Sequence, residues 1–372
     1  MLGMLLSGIL VRNTLPSVII ELPHSWTAVI WTIALASVVS RAGTLPILTE
    51  ASVLAYVSKS AFNLPTSWAF TLAFGVATIS PGVVVPLLLK LMDNGWQKSR
   101  LPPMMLAGVG MDVLLGTSGF GISLASCFGH SHEGVEQESW IIRGIEEIGM
   151  GFLLGIILGF TAFAYSRLRI SENISTPLVF ICSCLTMFWC KTHGFTGAAS
   201  CSTFLTWSAV GNSWIKTDVE SADEKLKNLW KLFKYGLFPV IGATISFDKF
   251  SFTLLVRSLL IILFSVMVKM GAAYLTAQLA DLSEEEAFFI AGIWTGKASI
   301  QATLCGVALE KVHEHHLHGK PEQQYAQIVF LCLVCSIIIG VPFASIWVGI
   351  FGKDQIGPDL VDTIQEVNKE EG

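Results

Sequence analysis

Gln327 through Phe351 run without one charged side chain, and Ser67 through Met92 contain only Lys90. A helix needs roughly 20 apolar residues to cross the hydrocarbon core of a bilayer, so runs of this length constrain the fold more than any motif. Soluble domains hold about a quarter charged residues. This 372-residue chain is 14% charged and 52% hydrophobic, too little polar surface to cover a water-facing globule. Inside a bilayer no water satisfies loose backbone groups, and the glycine-flecked runs lack the alternation of barrel strands. The expected fold class is therefore an all-α polytopic membrane protein with about 12 transmembrane helices. They are expected near 2–20, 26–43, 45–62, 67–92, 103–127, 141–166, 177–193, 195–215, 234–247, 252–279, 287–309 and 326–351.

Lysine and arginine set the orientation. One set of loops and the tail carry Lys98, Arg100, Arg167, Arg169, Lys216, Lys225, Lys227, Lys231, Lys353 and Lys369; the other set carries Arg143, Lys191, Lys249, Lys311 and Lys320. The positive-inside rule then puts both termini in the cytoplasm, and the polar stretch 353–372 reads as a cytoplasmic tail. A net charge of −5 points to no nucleic-acid partner. All eight cysteines fall in or at the ends of expected spans, Cys332 and Cys335 forming a C-x-x-C. They read as packing thiols, since a buried cysteine behaves as a small hydrophobe.

Charges inside the membrane are costly and functional by default. Glu50, Asp112, Arg257 and Lys297 stand out. Asp112 lies in LAGVGMDVLLG, with Gly108 and Gly110 before it and Gly116 after, glycines that thin the helix for close approach of another backbone. A carboxylate can hold a proton or, with other oxygens, a hard cation such as sodium. The plainer reading is a structural carboxylate paired with a lysine. Charge bookkeeping suggests that Glu50 pairs with Arg257.

Two spans contain backbone breakers at membrane depth. FGVATISPGVVVP (74–86) has Ser80-Pro81-Gly82 in mid-run, and IWTGKASIQATLCG (293–306) has Gly296 beside Lys297. Interrupted helices are tolerated where they line a cavity, and a pair of them is a sequence pointer to a transporter site. Freed carbonyls and the hydroxyls of Thr78, Ser80, Thr295 and Ser299 are candidate ion ligands.

ATISPGVVVP, MDVLLG on the next span and GKASIQATLCGVALE late in the chain together resemble the sodium/proton antiporters of the cation:proton antiporter superfamily, in particular the animal sodium/hydrogen exchanger 9B subgroup. The resemblance runs from LLSGILVRN (5–13) and SVVSRAG (37–43) to the final span. It implies an inverted-repeat antiporter fold with two crossing discontinuous helices, filling 1–352. Core helices would lie at about 67–127 and 234–309, with dimerisation-domain helices around them and a homodimer in membrane lipid. Asp112 would exchange a proton for sodium or lithium by alternating access, with Thr78, Ser80 and Thr295 as further ion ligands. Lys297 would compensate charge, and Glu50 and Arg257 would form a structural ion pair. Pro81, Gly82 and Gly296 would mark the breaks. No cofactor is implied beyond the transported ions.

Two departures from the subgroup's pattern matter. Met111 stands where the subgroup carries a second acid, which leaves Lys297 to find Asp112, lose its proton or face water. The segment RAGTLPILTE (41–50) is shorter than the pattern, which points to a fragment, a splice form or a diverged paralogue. Three functions follow: a cation/proton antiporter, a non-transporting paralogue serving as dimer partner or regulator, or another inverted-repeat carrier such as a sodium/organic-anion symporter. No nucleophile–base pair or phosphate loop suggests an enzyme. The histidines of KVHEHHLHGK, at 313, 315, 316 and 318, are expected in a solvated loop; a pH or zinc sensor is the sharper alternative.

Overall fold

The computed structural model describes residues 44–93, 101–128, 140–193, 195–244, 251–280 and 282–351. The regular secondary structure of the described residues is all helical: α1 (44–62), α2 (Thr66–Ala77), α3 (Pro81–Asp93), α4 (Leu101–Phe128), α5 (Trp140–Arg167), α6 (Glu172–Thr192), α7 (Thr196–Ser213), α8 (Lys216–Thr244), α9 (Phe252–Leu279), α10 (Glu284–Ile293), α11 (Ser299–Leu304), α12 (Val307–Glu314) and α13 (Pro321–Phe351). Six stretches among them are long and apolar enough to cross a membrane. The expected spans 2–20 and 26–43, and the tail 353–372, lie outside the described residues.

Both expected breaks are present. The first falls between α2 and α3 at 78–80, and Pro81 opens α3. There its missing N–H is harmless and its fixed φ suits a first helical position. The second separates α10 from α11 at 294–298, where Gly296 makes room. A Cβ at Gly296 would come within 2.9 Å of Val84 on α3, so the two breaks cross at van der Waals contact. Upstream, α10 starts on a capping box: Ser283 accepts from the Glu286 amide while the Glu286 carboxylate accepts from the Ser283 amide, a reciprocal pairing of orphan donors.

One difference from the expected spans has a simple cause. The charged stretch 217–231 and residues 234–244 of the expected span 234–247 belong to a single helix, α8; residues 245–247 lie outside the described residues. No breaker separates them, and the pairs Lys216–Glu220 at 3.8 Å and Asp223–Lys227 at 2.5 Å support its exposed first turns at i,i+4 spacing.

Packing divides the helices into two groups. One apolar core joins α1, α2, α4, α9 and α11–α13, and a second joins α3, α4, α9 and α10. Smaller clusters hold α5–α8 to one another. Within this second group, α5–α8, Glu147 of α5 is fully buried and accepts from the Gly197 and Ala198 amides that open α7. This carboxylate satisfies two orphan donors at the positive end of α7.

Helix α4 approaches the first break most closely at Gly116. A Cβ there would sit 1.9 Å from Thr78 Oγ1 and 2.8 Å from Ile47 Cδ1. Gly116→Ala must therefore push α4 off the break, and overpacking of this kind costs about 1–3 kcal/mol. A fall in the thermal unfolding midpoint in detergent checks it; an unchanged midpoint contradicts the packing.

Candidate ion site at the helix crossing

A helix ending inside the protein leaves its last carbonyls without intrahelical partners. The end of α2 is answered by side chains from three other segments. Gln301 of α11 donates to the carbonyls of Gly75 at 3.1 Å and Thr78 at 2.6 Å. Lys297, in the second break, donates to the Val76 carbonyl, and Lys269 of α9 donates to that of Ala77 at 2.8 Å. Two ammonium groups thus meet the negative end of a half-helix, where cations are favoured.

The same two lysines meet two carboxylates. Asp112 Oδ2 lies 2.8 Å from Lys269 Nζ, and its Oδ1 accepts from the Ile79 amide at 2.8 Å. That amide belongs to the broken turn, so Asp112 is pinned to the break by the backbone as well as by charge. Glu50 Oε1 accepts from Lys297 at 2.9 Å and from Ser265 at 2.5 Å, while its Oε2 lies 3.4 Å from Lys269. All four ionisable side chains are fully buried. Two acids facing two bases leave the cluster formally neutral. Replacing such a buried network by apolar groups is often neutral or stabilising, so a stability role alone explains it poorly.

The breaks also lock to each other. Ser80 donates its amide to the Gly296 carbonyl at 2.8 Å, and its Oγ lies 2.8 Å from Ser299 Oγ and accepts from the Ser299 amide at 2.9 Å. Gly82 sits where a Cβ would meet Ser299 Oγ at 2.9 Å.

The expected site residues divide accordingly. Asp112, Glu50 and Lys297 come together at the crossing. Arg257 does not: it is exposed in the first turns of α9, and the expected Glu50–Arg257 pair is replaced by Glu50 with Lys297 and Lys269. Twelve residues separate Arg257 from Lys269, about 18 Å along a helix, which brings Lys269 rather than Arg257 to the depth of the break. Thr78 and Thr295 donate to the carbonyls of Phe74 at 2.6 Å and Gly292 at 2.7 Å. With Ser80 bound to Ser299, the three hydroxyls line the crossing without bonding to Asp112. Met111 is half-buried beside Asp112. Its lack of charge does not strand Lys297, because Glu50 takes that role.

Lys269 is the residue that sequence reasoning missed. Its signal was the one that exposed Asp112: a single charge in an apolar run, VMVKMGAAY, followed by small residues.

Known proteins match this arrangement over nearly its whole length. The family model described as sodium/hydrogen exchanger, transmembrane, matches residues 3–349. Human sodium/hydrogen exchanger 9B2 is 27% identical over 396 residues, covering 100% of this chain and 71% of the relative. Human sodium/hydrogen exchanger 9B1 is 27% identical over 380 residues, covering 96% and 72%. Among solved structures, the sodium proton antiporter MjNhaP1 from Methanocaldococcus jannaschii superposes with a TM-score of 0.65 at 15% identity, covering 88% of this chain and 81% of that one. That last likeness is one of fold. A family match across the described helices, on crossed half-helices that enclose a buried carboxylate, makes the chain a member of the sodium/hydrogen exchanger family and an integral multi-pass membrane protein of the cation/proton antiporter type.

Proposed function

We propose that the chain exchanges Na+ or Li+ for H+ by alternating access, with Asp112 as the carboxylate that carries either ion. The observation that supports this most is the setting of Asp112: fully buried, held on one oxygen by the Ile79 amide of the broken turn and on the other by Lys269. The site offers Asp112 one positive partner at a time. Lys269 fills that role in the arrangement described, and a proton or an alkali cation takes it when Lys269 withdraws toward Glu50, whose Oε2 is already 3.4 Å away. Carbonyls at the end of α2, with the hydroxyls of Thr78, Ser80 and Thr295, are the oxygens that complete a shell for a hard cation. Lys297, balanced by Glu50, keeps the rest of the cluster neutral while Asp112 changes partners.

In this reading α1–α4 and α9–α13 form the ion-carrying core, and α5–α8 belong to a dimerisation domain of a homodimer whose termini face the cytoplasm. Membrane lipid is the remaining partner, and no cofactor takes part.

Reconstitution with an internal pH dye tests the activity. A Na+ or Li+ pulse across the vesicle membrane is expected to drive protons the opposite way, with K+ weaker. Sodium uptake that requires an organic anion would instead identify a symporter. Silence from folded, correctly inserted protein would identify the non-transporting paralogue suggested by Met111.

A further inference from the structure

Helix α12 ends in a tightly defined turn. His316 adopts a left-handed φ of 52°, and the Leu317 amide reaches back to the Val312 carbonyl at 3.0 Å. This six-to-one bond is a Schellman cap, and it carries the usual apolar contact, since Val312 and Leu317 are both buried in the same core. Two residues after Leu317, Gly319 is left-handed with φ 77°, and its amide donates to Gln323 at 2.7 Å. Five residues apart in sequence, His313 and His318 are therefore folded back on each other: His313 Nδ1 lies 3.0 Å from His318 Nε2, with the rings edge to face. Both rings are exposed.

We infer that His313 and His318 form a two-histidine site for a divalent transition-metal ion, with Zn2+ as its representative. Two imidazole nitrogens on neighbouring corners of a tetrahedral zinc centre stand about 3.3 Å apart, given Zn–N bonds near 2.05 Å. Small ring rotations open the observed spacing to that value. One of the two facing nitrogens bears a proton in the direct hydrogen bond. Moving that N–H to the ring's outer nitrogen frees both lone pairs with no net loss of a proton. Imidazole donors select Zn2+, Cu2+ or Ni2+ over the alkali and alkaline-earth ions. Among the described residues no third His, Cys, Asp or Glu joins the pair, so water fills the remaining positions. Neighbouring groups are otherwise engaged: Glu314 is bound to Lys311 at 2.8 Å, and that bond holds its carboxyl below the usual carboxylate range. His315 stacks on Phe128 at the end of α4 with ring centroids 5.0 Å apart, which ties the turn to the helix that carries Asp112.

The test is a titration of the tag-free full chain in detergent with ZnCl2, followed by calorimetry, with Cu2+ electron paramagnetic resonance as a count of ligating nitrogens. One ion per chain is expected, with two nitrogens on Cu2+. His313→Ala and His318→Ala should each weaken binding about 100-fold, the effective-concentration gain of the second ligand. His316→Ala, whose ring is outside the pair, should bind as wild type. The assignment is overturned if wild type takes up no Zn2+, if either of the first two variants binds unchanged, or if Cu2+ reports one nitrogen.

Discussion

Lys269→Ala is expected to destabilise the protein by about 3–5 kcal/mol, the range for breaking a buried ion pair from one side. The cause is what the substitution leaves behind. Asp112 would keep only the Ile79 amide, Glu50 would lose its contact at 3.4 Å, and the Ala77 carbonyl at the end of α2 would lose its donor. A buried carboxylate without a counter-charge carries the full desolvation penalty. The double variant Asp112→Asn with Lys269→Ala removes both charges together, so its loss should be well below the sum of the two single losses. Thermal unfolding of the four proteins in one detergent measures this coupling. Additive effects would mean that the 2.8 Å contact does not hold the crossing together.

The chain displayed the parts of its site that are chemically out of place in a membrane and concealed those that depend on depth. Asp112 is visible because an acid in LAGVGMDVLLG has no reason to be there unless something binds it. Pro81, Gly82 and Gly296 are visible because breakers at mid-span must line something. The pairing of Glu50 was not visible, since charge bookkeeping says that an arginine or lysine is needed but not which one. Helix geometry decides that: Arg257 lies near the start of α9 and stays exposed, whereas Lys269 lies three turns deeper, level with Ala77. Glu147 was concealed for a related reason. It falls inside the expected span 141–166 but was not singled out, and only the arrival of α7 shows that it answers the Gly197 and Ala198 amides.

Met111 has a similar lesson. Taken alone, it seemed to deprive Lys297 of a partner. In the folded chain Glu50, far away in sequence, supplies the second negative charge, so two acids and two bases still balance. Neutrality is a property of the cluster and is invisible at any single position.

On the proposed function, Asp112→Asn is expected to have the largest functional effect. Asparagine keeps the shape and can still accept from the Ile79 amide, but it binds no proton near neutral pH and brings no charge to an alkali cation. Lys269 retains the Ala77 carbonyl and Glu50 within reach, so the variant should fold. The decisive measurement is sodium-driven proton movement in proteoliposomes containing wild type or Asp112→Asn at equal density and orientation. Exchange that vanishes in the variant, while its unfolding midpoint shows it intact, is the predicted result. Exchange at the wild-type rate without the Asp112 carboxylate would contradict the account.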